Sequence, residues 1–231
     1  MLAWRVSGVR ITTPHLILRW CGDDCNLHSI STASLGSGIS LNEKCLMNSE
    51  LQGLFRADQD ERVNHPAYGT PDYWLLRERD AERRKRLQVI IDSGGLIEPE
   101  DYYQAAWILN HGERVAEIWQ AHVLAKGAAE LGLRRARWLA AATYDRWLMY
   151  QGQMQKYGTQ IVPDGKRQRV WDVEPATSDA ERAEWDVPSL AEMKRRAEEI
   201  TRNEPMPPMD TAPDWLRDAL LRWDIEDKGR A

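Results

Sequence analysis

In each of several helical stretches, ionisable side chains stand where the apolar residues recur. Asp58 and Arg62 continue the stripe of Leu51, Leu54 and Phe55, and Asp80 and Arg83 lie on that of Leu76, Leu87, Ile90 and Ile91. Gln104, Trp107, Ile108, His111, Val115, Ile118, Trp119 and His122 share one face if their helix is continuous, and Asp145 falls in line with Trp138, Ala141, Ala142, Leu148 and Met149. A charge buried alone is expensive, so such groups must be paired, protonated, bound to a metal or engaged by a ligand. Asp58–Arg62 and Asp80–Arg83 have the spacing of helical ion pairs, which accounts for those four without a ligand. His122, near the end of its stripe, reads as structural. Asp145 is different. Its neighbour Arg146 lies about 100° round the helix, so the carboxylate needs a partner from elsewhere, with Arg62, Arg83 and His111 as the candidates.

Buried carboxyl and imidazole groups acquire displaced pKa values suited to proton transfer, which makes His111 and Asp145 the candidate general base and acid. Arg62 or Arg146 would orient a negative group on a ligand, with Asp58 and Asp80 in the same polar centre. After Asp145 the chain turns polar, in "QGQMQKYGTQ". Gly158 permits a tight turn, and Gln155, Tyr157, Thr159 and Gln160 supply uncharged donors and acceptors able to read a small molecule's polar edges. The same residues could equally cap the helix and start a hairpin. Asp58, Asp80, His111 and Asp145 are chemically fit for a divalent ion in a helical bundle, but no His-x-x-x-His, Glu-x-x-His or Cys-pair spacing appears, so neither a metal nor a cofactor is assigned. There is no Gly-x-Ser-x-Gly elbow, and "GTPDYW" and "DSGG" lack the pattern of a phosphate loop.

Asp145-Arg146, Gly152, Gln155 and Tyr157-Gly158-Thr159-Gln160 resemble the signature of an uncharacterised bacterial domain family, which pairs an Asp-Arg helix with a Gly-x-x-Gln-x-Tyr-Gly-Thr-Gln loop. Its first-helix acid and arginine are matched by Asp58, Gln59 and Arg62, and its Gln-His helix end by Asn110-His111, where Asn is a departure. The likeness covers roughly residues 50–200 and is specific at 145–160. It implies that Asp145, Arg146, Gln155, Tyr157, Gln160 and His111 belong to one site, and it implies no particular reaction.

The elements that must position these residues are mostly helices. Helical patterns cover about 50–63, 71–93, 99–132 with a possible break at Gly112, 134–151, 179–185 and 190–202, and a last helix from Pro213 to about Trp223. Ser49, Thr70 and Ser189 are the expected N-caps, and Pro163-Asp164-Gly165-Lys166 marks a hairpin turn. The expected fold is all-α: one helical domain over 47–203, a small β-hairpin near 157–173 after the fourth main helix, then a linker and an amphipathic helix over 204–231. Residues 1–46, which hold all three cysteines and "STASLGSGIS", read as a disordered or mis-assigned extension. Cys21, Cys25 and His28 there lack the second half of a metal set.

With 231 residues and 42% apolar content the chain can bury one core, and its 11 tryptophans require N–H partners within it. A net charge of −5 argues against wholesale nucleic-acid binding, although eight basic residues face two acids between Arg134 and Arg169. No apolar run approaches the roughly 18 residues of a membrane span, and the N-terminus shows no signal-peptide pattern, so a cytoplasmic location is expected. The expected function is binding of a small polar or anionic ligand, with acid–base catalysis if the protein is an enzyme. The alternative is a helical interaction factor, such as an immunity or regulatory protein, with a structural polar centre. In that case Leu216, Ala219, Leu220 and Trp223 of the last helix could dock on a protein partner, unless they dock on their own domain. A concave pocket lined by the site residues would favour the ligand.

Overall fold

Asn48 opens the first helix, accepting from the amides of Glu50 and Leu51 at 3.1 and 3.0 Å. Ser49, the expected cap, is instead the first residue of α1 (Ser49–Val63). Asn48 takes the role because it is itself fixed: its amide donates to Asp101 Oδ1 and its Nδ2 to the carbonyl of Gly95. These coordinates are a computed structural model that describes residues 47–66, 69–210 and 212–229. The expectations for 1–46, including Cys21, Cys25 and His28, lie outside the described residues.

Thr70 caps α2 (Pro71–Asp92), accepting from the amide of Tyr73 at 3.2 Å, with Pro71 in the first turn. The third helical region is two helices, α3 (Pro99–Asn110) and α4 (Val115–Glu130), separated at Gly112. A Cβ at Gly112 would lie 2.8 Å from Glu117 Cβ and 2.9 Å from the carbonyl of Leu109, so only glycine lets the two helices meet so tightly. α5 (Ala136–Met149) follows, and α4 packs against both α3 and α5 through small residues such as Ala106, Ala125 and Ala140. Leu51 of α1, Leu87 and Ile90 of α2, Ile108 and Leu109 of α3 and Ala121 of α4 form the main apolar core.

The fold is thus all-α with a small hairpin, which follows the fifth helix because the third region divides. β1 (Ile161–Pro163) and β2 (Gln168–Val170) pair antiparallel with Val162 opposite Arg169, and Asp164 Oδ1 accepts from the amides of Lys166 and Arg167 in the turn. α6 (Asp179–Glu184) and α7 (Leu190–Asn203), the latter capped by Ser189, precede α8 (Asp214–Gly229), which runs past the expected stop at Trp223. Leu216, Ala219 and Trp223 of α8 are buried against Met149, Val162 and Trp171, so its apolar stripe docks on this same domain. The N–H groups of the two buried tryptophans find partners: Trp171 Nε1 donates to the carbonyl of Gln153 at 2.7 Å and Trp223 Nε1 to Asp172 at 2.9 Å. Among the described residues no helix is long and apolar enough to cross a membrane.

Candidate functional site

Two polar networks lie near α5: the charge of Arg146 acts on His111 in one, and its neighbour Asp145 anchors the other. The first lies where α1, α2 and the end of α3 converge. Asp58 and Asp80 are almost fully buried, and Arg62 bridges them. Its Nη1 stands 2.8 Å from Asp58 Oδ1, and its Nη2 donates to both oxygens of Asp80 at 2.9 Å. Arg77 donates to Asp80 and Glu113, and Arg83 to Asp80 and Glu61. Gln59 donates to Asp58 Oδ2 at 2.8 Å. Arg77 and Arg84 lie three residues before and four after Asp80, so helical spacing was the signal that places them on this face.

His111 closes the cluster. Its ring stacks on Trp107 with centroids 6.1 Å apart, its carbonyl accepts from Arg84 at 3.2 Å, and its Nε2 lies 3.5 Å from Asp58 Oδ2. Burial, and then the positive charges of Arg62, Arg146, Arg77 and Arg84, hold the imidazole pKa well below its ordinary value, so His111 is neutral. Burial also raises the Asp58 carboxyl to about 6, against the pull of Arg62. Among the described residues, Asp58 Oδ1, Arg83 Nε, Arg84 Nε, His111 Nε2 and Arg146 Nε are all buried without a hydrogen-bond partner; the contact of Asp58 Oδ1 with Arg62 is one of charge, not of aligned N–H. Such a concentration of unsatisfied polar atoms is unusual in a folded interior. Arg146 donates only to the hydroxyl of Tyr150, at 3.0 Å, and makes no ion pair among the described residues. Asp58, Asp80 and His111 do not converge as a metal-binding group: the guanidinium of Arg62 stands between the two carboxylates.

The second network corrects the expectation that Asp145 pairs with Arg62, Arg83 or His111. Its Oδ1 accepts from the amides of Lys156 and Tyr157, both at 2.8 Å, and its Oδ2 from the amide and hydroxyl of Thr159 at 2.9 and 2.7 Å. The chain leaving α5 folds back over the carboxylate, and backbone dipoles supply the compensation that a cation would have given. Gly158, at φ +86°, allows the amides on either side of it to converge on Asp145. Burial pushes the Asp145 carboxyl above its ordinary range, while the four hydrogen bonds oppose that shift. Gln155, fully buried, ties the loop to the hairpin: its Nε2 donates to the carbonyls of Gln160 and Trp171, and its Oε1 accepts from the amide of Gln160. Gln160 Nε2 donates to the carbonyl of Ala142. Gly158→Ala is expected to destabilise the fold by about 1–3 kcal/mol, the cost of a left-handed backbone at a residue with Cβ, as measured by urea denaturation.

Of the residues expected to act together, Asp58, Arg62, Asp80 and His111 meet in the first network, where the charge of Arg146 also acts on His111, and Asp145, Gln155, Thr159 and Gln160 in the second. Tyr157 joins the second through its backbone, while its side chain lines a recess of about 160 Å³ with His122, Tyr144, Lys156 and Trp185. A neighbouring recess of about 520 Å³ also has Tyr144 and Lys156 in its wall. Sequence reasoning missed both, because their walls come from segments far apart in the chain. No known protein family, curated protein or solved structure matches the chain.

Proposed function

We propose that the first network binds a small anionic ligand and can do acid–base chemistry on it. The observation that carries this reading is Arg146, a guanidinium whose charge acts on His111 and which, among the described residues, has no acid partner and a buried, unpartnered Nε. The other four arginines here are engaged: Arg62, Arg77 and Arg83 by carboxylates and Arg84 by the His111 carbonyl, with Glu117 3.6 Å from its Nε. The charges of Arg62, Arg146, Arg77 and Arg84 all act on the imidazole, which suits an incoming negative charge.

An anion held on Arg146 would lie near a neutral His111, whose unpartnered Nε2 can take a proton from it. Asp58, 3.5 Å from that nitrogen and with a pKa of about 6, would stabilise the imidazolium and change its own protonation near neutral pH. Differential scanning fluorimetry against phosphate, sulfate, phosphate monoesters and small dicarboxylates tests the binding. At least one should raise the melting temperature in a concentration-dependent way, with about 2.7 kcal/mol of stabilisation at a hundredfold excess over Kd. Arg146→Gln should abolish that gain while leaving the fold intact. A panel without effect, or a gain retained by Arg146→Gln, removes the proposal.

A further inference from the structure

On the other side of α5, the two recesses share a different chemistry. Tyr144 and Arg146 are separated by about 200° round the helix, so what gathers near Tyr144 is remote from the arginine cluster. The smaller recess is walled by His122, Tyr144, Tyr157 and Trp185. Their rings form one array: His122 to Tyr144 at 5.1 Å, Tyr144 to Tyr157 at 6.4 Å and Tyr157 to Trp185 at 6.0 Å between centroids. Such a wall favours a flat ring.

His122 sets what that ring must carry. Its Nδ1 lies 2.9 Å from the carbonyl of Ala140, which can only accept, so Nδ1 bears the hydrogen. Burial keeps the imidazole neutral, and Nε2 is left as an acceptor with no partner among the described residues. The hydroxyls of Tyr144 and Tyr157 likewise make no hydrogen bond there and can donate or accept. A ring with an N–H edge and carbonyl oxygens matches that set.

The larger recess differs. Gln153, Glu174, Thr177 and Glu181 offer mainly acceptors, and the one ammonium, Lys156, is already 2.7 Å from Glu181. Two carboxylates against one paired lysine repel an anion and accept from hydroxyl groups. A volume of about 520 Å³ is within the range of small-molecule sites.

We propose that the two adjoining recesses, which share Tyr144 and Lys156 in their walls, bind an unphosphorylated nucleoside, its nitrogen heterocycle among the aromatic side chains with an N–H donating to His122 Nε2, and its sugar hydroxyls on Glu174 and Glu181. This site is independent of the anion site at Arg146. The test is a titration of the full chain with inosine, uridine and their 5′-monophosphates, followed by calorimetry and by the ¹⁵N resonances of the histidine rings. One nucleoside at least should bind with Kd below about 1 mM and move the His122 Nε2 resonance, and its monophosphate should bind about tenfold more weakly. His122→Phe, which keeps a flat ring and loses the acceptor, should weaken the nucleoside about tenfold, and Arg146→Gln should leave it unchanged. Should His122→Phe fail to fold, Glu174→Gln at an exposed position decides, since it should narrow the gap between nucleoside and monophosphate. Tighter binding of the monophosphate, an unmoved His122 resonance at several millimolar, or equal binding by His122→Phe would each overturn the assignment. So would a gap that Glu174→Gln leaves unchanged.

Discussion

Asp145→Asn is expected to lower the melting temperature by about 6–15 °C, corresponding to roughly 3–4 kcal/mol. The carboxylate accepts from three backbone amides and one hydroxyl in an interior without water access to it. Asparagine offers one acceptor oxygen where two are needed, and turns an amide group toward donors. At least one buried N–H is then left without a partner, which is the costly outcome. Because Lys156, Tyr157 and Thr159 are all released together, the loop should loosen as a unit. Hydrogen exchange at those three amides should accelerate more than exchange in α3 or α4. A melting point that stayed within about 2 °C, or rose, would refute the anchoring role and mark Asp145 as a residue held at the expense of stability.

Arg62→Met is the second substitution with a large expected effect. It removes the cation between Asp58 and Asp80 while keeping the stem that packs beside them, and leaves two buried carboxylates facing each other. Breaking a buried pair from one side typically costs about 3–5 kcal/mol. The pH dependence follows from Asp58, whose folded pKa of about 6 lies above its ordinary value of 3.8. A carboxyl raised on folding contributes stability that is fully present below the unfolded value and is lost as pH rises through the folded one. In the parent, that loss falls between about pH 4 and 6. Without Arg62 the carboxyl pKa rises further, so the variant should be closest to the parent near pH 5 and furthest from it at pH 7.5. Denaturation with urea at the two pH values reads this directly. A deficit of equal size at both would mean that Asp58 does not titrate in this range.

The helices were legible because amphipathic period, N-caps and breakers act within a few residues of where they stand. Thr70, Pro71 and Ser189 behave as their types suggest, and Pro163-Asp164-Gly165-Lys166 turns the hairpin. The split at Gly112 was only half visible. A glycine there marks a break, but that its hydrogen faces Glu117 at a separation no Cβ tolerates is a fact about two helices meeting. The last helix shows the same limit from the other side: its stripe was plain, and the surface that received it, Val162 on the hairpin and Trp171 just after it with Met149 on α5, was not.

The candidate site divides along a similar line. That Asp58, Arg62, Asp80 and His111 sit on apolar stripes is a property of spacing, and spacing is local. The sequence by itself therefore determined which faces turn inward and which of them carry charge. Only the tertiary structure decided the partners. Asp145 is satisfied by amides 11, 12 and 14 residues further on, reached by a loop whose return path depends on Gly158 and on the hairpin behind it. Arg146, one position along, donates instead to Tyr150, and among the described residues it has no acid partner. Periodicity assigns a side chain to a face, but compensation of a buried charge is settled by whichever donors the folded chain brings within about 3 Å, and those lie far away in sequence.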